Sequence, residues 1–542
     1  MPRSSIYAPP RKQVSRTATV PAPIGGLNAR DSAAAMPVTD AIVMRNFFPL
    51  PYAVALRQGW IEHVTGLDTG INPTLATYNP QVGSSTLYAF TGSNIYHLVS
   101  SGPAPPPLVT GLSNDYWQTA MFVNAGGTYL YAVNGEDSPR VLAGGSSTTV
   151  IEQTPPTGFN IGSPDPPEAP VDPTKFIHVE VHQRRLWFVE RDSMNAWFLP
   201  PNQIGGSASL FPVGQLFKRG GFLMAIYTWT VDSGQGMDDK LVFISSRGEI
   251  AIYAGTDPED ATKWSLEGVI HIGAPVGRRC GCKYGGDLLL LTTSGVLPLS
   301  VALLSTRVNN ADNLTDKIQQ TISAQVTTYG QLVGWEMLLF PDENQLWLVV
   351  PVPTAHEVYA MNTITGSWTL YSNMEISSST LLNDRPYFIT EDGRVCRAWQ
   401  GYFDNVPLGS LVGDRIEAEV VTAYNYFGLL GQSKRWTMVR AIFQSGTVPA
   451  GALSIVTDYA IVGPLDVIVP ATPAGDSLWD VATWYPDPTG PFGVWDTPYE
   501  RYRLWRSVDG LGYAAALHLK LLQGIKTEWV ATDFVFEPGG VL

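Results

Sequence analysis

A short apolar strand followed at a fixed distance by a turn former recurs seven times in this chain, and that repeat limits the fold more than any other feature. The copies are Leu87-Tyr88-Ala89-Phe90, Leu130-Tyr131-Ala132-Val133, Leu186-Trp187-Phe188-Val189, Leu241-Val242-Phe243-Ile244, Leu288-Leu289-Leu290-Leu291, Leu346-Trp347-Leu348-Val349 and Pro386-Tyr387-Phe388-Ile389. Seven positions after each first residue stands Asn94, Asp137, Ser193, Gly248, Gly295, Pro353 or Gly393, and in most copies a second apolar strand follows. Aromatic and branched side chains fit a pleated, buried surface, and the turn residues tolerate the backbone angles of a tight connection. The copies are spaced by 43, 56, 55, 47, 58 and 40 residues. That is the length of a four-stranded propeller blade, roughly 40 to 50 residues, with loops absorbing the variation.

The expected fold is therefore mainly β: a β-propeller over residues 41–410, of about seven blades with six or eight possible. Two stacked sandwiches with similar hairpins are the competing architecture. The 52 Gly and 42 Pro of the 542 residues suit many short strands broken by turns. One helical pattern interrupts them: Leu314, Ile318 and Ile322 recur at helical spacing, which predicts a short helix between the fifth and sixth hairpins. After about residue 410 the strands lengthen and alternate, as in Arg415–Val421, Met438–Phe443, Leu453–Val456, Ala516–Leu521 and Trp529–Phe536. This predicts an antiparallel β-sandwich or platform over 411–542. Residues 1–40 read as an extended N-terminal arm, because Pro2, Pro9, Pro10, Pro21 and Pro23 forbid a helix of any length.

The arm holds Arg3, Arg11, Lys12 and Arg16 without an acid up to residue 23, in a chain whose formal net charge is -14. Such a segment is either a solvated tail or a strap for an acidic neighbour, so these four residues are candidate partner contacts. Trp479, Trp484 and Trp495, set among prolines and glycines, are further candidates, with plugging of the sandwich's own open end as the ordinary alternative. The net charge argues against general nucleic-acid affinity, which needs clustered cations, but is compatible with a polyanion passing without adhering. Cys280, Cys282 and Cys396 cannot all pair, which fits a reducing compartment. No apolar run of about 18 residues is present to anchor the chain in a bilayer, and Met-Pro-Arg-Ser-Ser is not a secretory leader.

Chemistry has few candidates. His178, Glu180 and His182 stand at i, i+2 and i+4 on a strand and so share one face, the best arrangement here for a metal; the alternative is polar residues lining a blade edge. Cys280-Gly281-Cys282 lacks two further ligands, and Asp257, Glu259 and Asp260 read as a solvated acidic turn rather than a complete calcium loop. Nucleophile elbows, phosphate loops and dinucleotide fingerprints are absent. No catalytic residue and no cofactor is assigned. A glycosidase built from scattered carboxylates stays open as the enzymatic alternative.

His182-Gln183-Arg184-Arg185-Leu186-Trp187-Phe188, continuing to Ala196-Trp197-Phe198 and Ser209-Leu210-Phe211-Pro212, resembles a segment recurrent in virion proteins of tailed bacteriophages. Ile24–Asp31, Asn46–Pro49, Leu56–Trp60 and the ending Phe536–Leu542 resemble the same group. In short-tailed, podovirus-like phages these are tail nozzle, tail tubular or DNA-stabilisation proteins. The resemblance implies a homo-oligomeric ring, usually a hexamer, below the portal and adaptor. Tail fibre or tail-tip proteins are implied as further neighbours, and double-stranded DNA would be held or conducted through a channel without sequence-specific binding. It also implies a non-enzymatic chain assembled in the host cytoplasm and carried in the virion tail. The alternative is a propeller glycosidase or glycan-binding module of a phage or bacterial surface.

Overall fold

The computed structural model of the chain describes residues 14–143, 149–152, 159–161, 172–232, 237–304, 313–353, 357–460, 463, 465, 467 and 500–541. It divides into two units: Gln58–Gly366 with Leu370–Asp414, and Met1–Arg57 with Ser367–Thr369 and Arg415–Leu542.

The first unit is a β-propeller, and each of the seven repeated segments lies in a different sheet. Blade 1 comprises Thr74–Tyr78, Thr86–Thr91 and Asn94–Leu98. Blade 2 comprises Gln118–Asn124, Gly127–Val133, Arg140–Ala143 and Thr149–Glu152. Blade 3 runs through Phe176–His182, Arg185–Glu190, Asn195–Phe198 and Gly206–Pro212, with Phe159–Ile161 added parallel to the last. Blade 4 runs through Leu223–Asp232, Met237–Ser245, Glu249–Gly255 and Trp264–His271. Blade 5 holds Gly281–Tyr284, Asp287–Thr292 and Gly295–Pro298, and blade 6 is opened by Glu336–Phe340, Gln345–Val350 and Glu357–Asn362. Blade 7 joins Ser378–Leu382, Arg385–Ile389 and Val395–Ala398 to Trp60–Thr65 from the start of the unit.

That last pairing closes the ring. Val64 lies opposite Val395 and Trp60 opposite Ala398 in an antiparallel register, and the Trp60 indole donates to the Asn373 carbonyl at 2.9 Å. Backbone groups that would be bare at the ends of an open array are thereby satisfied.

The repeated segment is the second strand of every blade, and its apolar run follows from burial on both faces. Successive side chains on a strand point to opposite faces. In blade 3, Leu186 and Phe188 pack with Tyr131, Val133 and Phe176 toward blade 2, while Trp187 and Val189 pack with Phe243, Ala251 and Trp264 toward blade 4. Phe188 stacks on Phe176 at 4.6 Å, and Trp187 stacks on Trp264 at 5.9 Å. Each such buried ring contributes about 1.5–3 kcal/mol. Blade 2 repeats the division: Leu130 and Ala132 face blade 1, Tyr131 and Val133 face blade 3.

The expected helix lies where it was placed but starts later, as a 3-10 turn Asp316–Ile318 continuing into an α-helix Gln319–Tyr329. Ile318 and Ile322 are its buried residues, and Asn309–Asp312 lie outside the described residues.

The second unit contains the long strands Asp414–Thr422, Gln432–Ser445, Gly451–Thr457, Ala515–Gln523 and Thr527–Val541, in two antiparallel groups. The N-terminal segment departs from the expected arm. Arg16–Pro21 is a strand of this unit, paired antiparallel to Thr527–Val541 with Arg16 opposite Phe536, and residues up to Arg57 belong to the same unit rather than to the propeller. The reason is geometric: one edge of the 15-residue terminal strand extends beyond its short pairing with Val54–Leu56, and Arg16–Pro21 covers the remainder. Thr19 donates to Asp533 at 2.6 Å, and the same carboxylate accepts Arg440 Nε at 2.9 Å. Lys434, fully buried, donates from Nζ to the carbonyls of Leu429, Gln432 and Tyr513 at 2.6, 3.0 and 2.7 Å.

Candidate functional site

The first strand of each blade faces the propeller axis, where the seven surround a cavity of about 450 Å³. All seven contribute lining, including Thr77, Thr119, Glu180, Tyr227, Gly281, Glu336 and Thr380. These strands are more polar than the repeated ones because one of their edges meets no further strand and their side chains meet across a narrow axis.

One side chain organises this region. Arg279, on the approach to the first strand of blade 5, donates through Nη1 to Glu336 of blade 6 at 2.8 Å and to Ser378 of blade 7 at 2.9 Å. Its Nη2 donates to Thr74 of blade 1 at 2.7 Å and to the Trp117 carbonyl before blade 2 at 3.1 Å. The guanidinium also lies 4.9 Å from the centre of the Tyr116 ring, a cation–π distance. A planar fork of donors suits this convergence where a lysine would not. Five blades are thus tied through one residue that is 13% exposed. Glu336 is equally committed, accepting from the Ser379 backbone N–H and from its hydroxyl at 2.6 Å. Thr77 and Thr380 hydroxyls, 2.9 Å apart, add a link between blades 1 and 7.

His178, Glu180 and His182 do share one face, toward blade 4. His178 packs edge-on to Tyr227 at 5.1 Å, and His182 edge-on to Trp264 at 5.8 Å. Burial, and for His178 the nearby Arg278, lowers these imidazoles to about 3 and about 4, so both are neutral at pH 7. Burial pushes the Glu180 carboxyl above its ordinary range, opposed by Lys283 Nζ at 3.4 Å. The three residues therefore have different neighbours, and among the described residues no group of three or more His, Cys, Asp or Glu is arranged to hold a metal ion.

The other candidates have plain positions. Cys280 is fully buried and its thiol is pushed up to about 12; Cys282 rises to about 11, and Cys396 lies well above the ordinary thiol range, all through burial. All three are free. Gly281 between the first two lets the Tyr227 ring lie against the backbone, since a Cβ there would stand 2.6 Å from the ring. The acidic turn is shared among separate partners: Asp257 accepts from Arg185 at 2.9 Å, Glu259 from Ser209 at 3.1 Å and Asp260 from Lys263 at 2.9 Å. Arg16 is exposed at the start of its strand. Arg3, Arg11, Lys12, Trp479, Trp484 and Trp495 lie outside the described residues.

Sequence reasoning missed Arg279 and Glu336. Arg278-Arg279 is an adjacent cationic pair just before the short strand Gly281–Tyr284 in a chain with 15% charged residues, and that pairing is the signal the sequence offers.

No family model matches the chain, and no curated protein matches it. Solved structures do: BBS1N in complex with ARL6DN (10% identity, TM-score 0.38, covering 64% of this chain and 99% of that one), BamB from Moraxella catarrhalis (11%, 0.33, 71% and 98%) and YCF48 bound to D1 peptide (12%, 0.33, 68% and 99%). BamB and YCF48 are β-propellers. The propeller fold of this chain is carried by its own seven sheets and their closure.

Proposed function

We propose that this chain is a virion structural protein of a short-tailed bacteriophage, a subunit of a nozzle or tail-tube ring, of hexameric order, seated below the portal and adaptor. In this role it retains packaged DNA and conducts it at ejection, and it meets tail fibre or tail-tip proteins at the distal side. The observation that supports a scaffold over an enzyme is the axial junction. A glycosidase needs two carboxyl groups free to reach one glycosidic bond. Here Glu336 is spent on Arg279 and Ser379, and Arg279 is spent on holding blades together. The resemblance of Ile24–Asp31, His182–Phe188 and Phe536–Leu542 to phage tail proteins supports the particular assembly. In such a ring the DNA path runs along the symmetry axis of the copies and not through the tied axis of one propeller. Mass spectrometry of washed particles from a host producing this chain tests the proposal: stoichiometric recovery in particles is expected, and its absence from them overturns the reading.

The axial cavity favours a second reading, a glycan-binding or glycan-cleaving module, because Glu180 presents there a carboxyl raised by burial. A glycan array and hydrolysis screen of the wild type and Glu180→Gln tests it. Binding or turnover lost in the variant supports this reading, and no signal in either screen removes it.

A further inference from the structure

A second concavity lies at the end of blade 4, built from three connections of that blade. It is an open depression of about 530 Å³ lined by Arg219, Arg247, His271, Ile272, Gly273 and Ala274. Arg219 precedes the first strand of the blade, Arg247 sits in the turn between its second and third strands, and His271 ends its fourth. All three side chains are exposed. Among the described residues neither arginine forms an ion pair and the histidine ring makes no hydrogen bond, which is notable in a chain of net charge -14.

The backbone segments that carry the cations are tied to one another by hydrogen bonds. Glu249, a buried carboxylate that opens the third strand of the blade, is turned to the loop itself, accepting the N–H groups of Lys218 at 3.0 Å and Arg219 at 2.8 Å. It fixes the loop while leaving the Arg219 guanidinium without a counter-ion. Phe222 N–H donates to Ser246 Oγ at 3.1 Å and Ser246 N–H to the Phe222 carbonyl at 2.8 Å, joining the first connection to the second. Ile272 N–H donates to the Gly248 carbonyl at 2.9 Å, joining the second to the third. Two glycines permit the approach. Gly221, at φ +94, leaves room for the Arg247 stem, which a Cβ would meet at 3.0 Å, and a Cβ on Gly248, at φ +78, would stand 2.4 Å from the Ile272 carbonyl. The corresponding turns of blades 2 and 7 carry Asp137 and Asp392, each bonded to neighbours: Asp137 to Ser113 and Asn134, Asp392 to Arg394.

We propose that this pocket is a phosphate-binding site. Two guanidinium forks and an imidazole, carried side by side on connections cross-linked by hydrogen bonds, match a tetrahedral oxyanion better than a single flat carboxylate, which one arginine would satisfy alone. The phosphate group comes either free, as orthophosphate or a monoester, or from a nucleic-acid backbone. The site stands apart from the axial cavity and does not depend on the virion role.

The test uses the full chain. Thermal unfolding is followed in orthophosphate and in chloride at equal ionic strength, and anisotropy with a labelled DNA duplex and with polyglutamate as competitor supplies the other arms. Orthophosphate is expected to raise the midpoint of the wild type above its value in chloride, and Arg219→Ala/Arg247→Ala is expected to abolish that rise while melting normally in chloride. Loss of the charged hydrogen bonds weakens binding by about tenfold or more. Duplex binding that falls in the double variant assigns the phosphate to a nucleic-acid backbone; a phosphate effect without duplex binding assigns it to a free phosphate. Equal midpoints in phosphate and chloride, or polyglutamate binding in preference to phosphate, overturns the proposal, and so does a phosphate effect that survives the double substitution.

Discussion

The axial cavity around Arg279 and the depression around Arg219 and Arg247 spend their charge in opposite ways. At the axis, Arg279 is largely withdrawn from solvent and bonded to acceptors on four other blades or their approaches. At the end of blade 4, Arg219 and Arg247 stand in solvent, and the Glu249 carboxylate is turned to backbone amides. Charge that is desolvated and fully bonded is part of the fold, and removing one partner leaves the other stranded. Charge held on a rigid rim with nothing opposite contributes little to stability and remains available to a ligand. The axis uses one arginine and the end of blade 4 two, so the distinction lies in where the carboxylates point and not in a surplus of cations at the axis.

Substitutions that break this contrast differ in size. Arg279→Met strands Glu336 in the axis and is expected to cost about 3–5 kcal/mol in urea unfolding. Acidification follows. The imidazoles of His178 and His182, held by burial at about 3 and about 4, are neutral in the native state, whereas the unfolded chain protonates them near the ordinary 6.5. The unfolded state therefore binds more protons below that value. The contribution is fully present above pH 6.5 and is lost as pH falls through the window down to about 3 to 4. Between pH 6.5 and 5 each histidine removes on the order of 1.5 kcal/mol, and a Gln at either position is expected to flatten the slope of stability against pH by one proton. Lys434→Met extends the rule to the other unit, where loss of a buried ammonium bonded to three carbonyls is expected to cost about 2 kcal/mol. Thr380→Val, which removes one hydroxyl link across blades 1 and 7, costs about 1 kcal/mol. The smallest effect belongs to Arg219→Ala/Arg247→Ala, within about 0.5 kcal/mol in chloride; a large loss there would erase the distinction between the two concavities.

Much of this fold is legible in the amino-acid order because second strands are buried on both faces. Leu186-Trp187-Phe188-Val189 must be apolar throughout when its alternate side chains enter two different cores, and the other six copies obey the same requirement. The first strands are harder to find. Thr74–Tyr78 and Ser378–Leu382 mix hydroxyls with apolar residues because they face a polar axis, so neither periodicity nor hydrophobicity marks them. Ring closure leaves no local trace either, since Trp60–Thr65 pairs with a strand more than 300 residues later. The shared face of His178, Glu180 and His182 was deducible from strand period, but their separate neighbours were not, because Tyr227, Trp264 and Lys283 come from other strands. Arg16 illustrates the same limit: prolines announced an extended segment, while its partner Phe536 is 520 residues away.

The most direct test of the axial account is a double-substitution cycle in urea with Arg279→Met, Glu336→Leu and both together. Non-additivity of about 1–3 kcal/mol is predicted, with the pair of apolar replacements less harmful than the two single losses combined. Strictly additive losses, or unfolding midpoints unchanged by Arg279→Met, would contradict the claim that this arginine and its carboxylate hold the blades together.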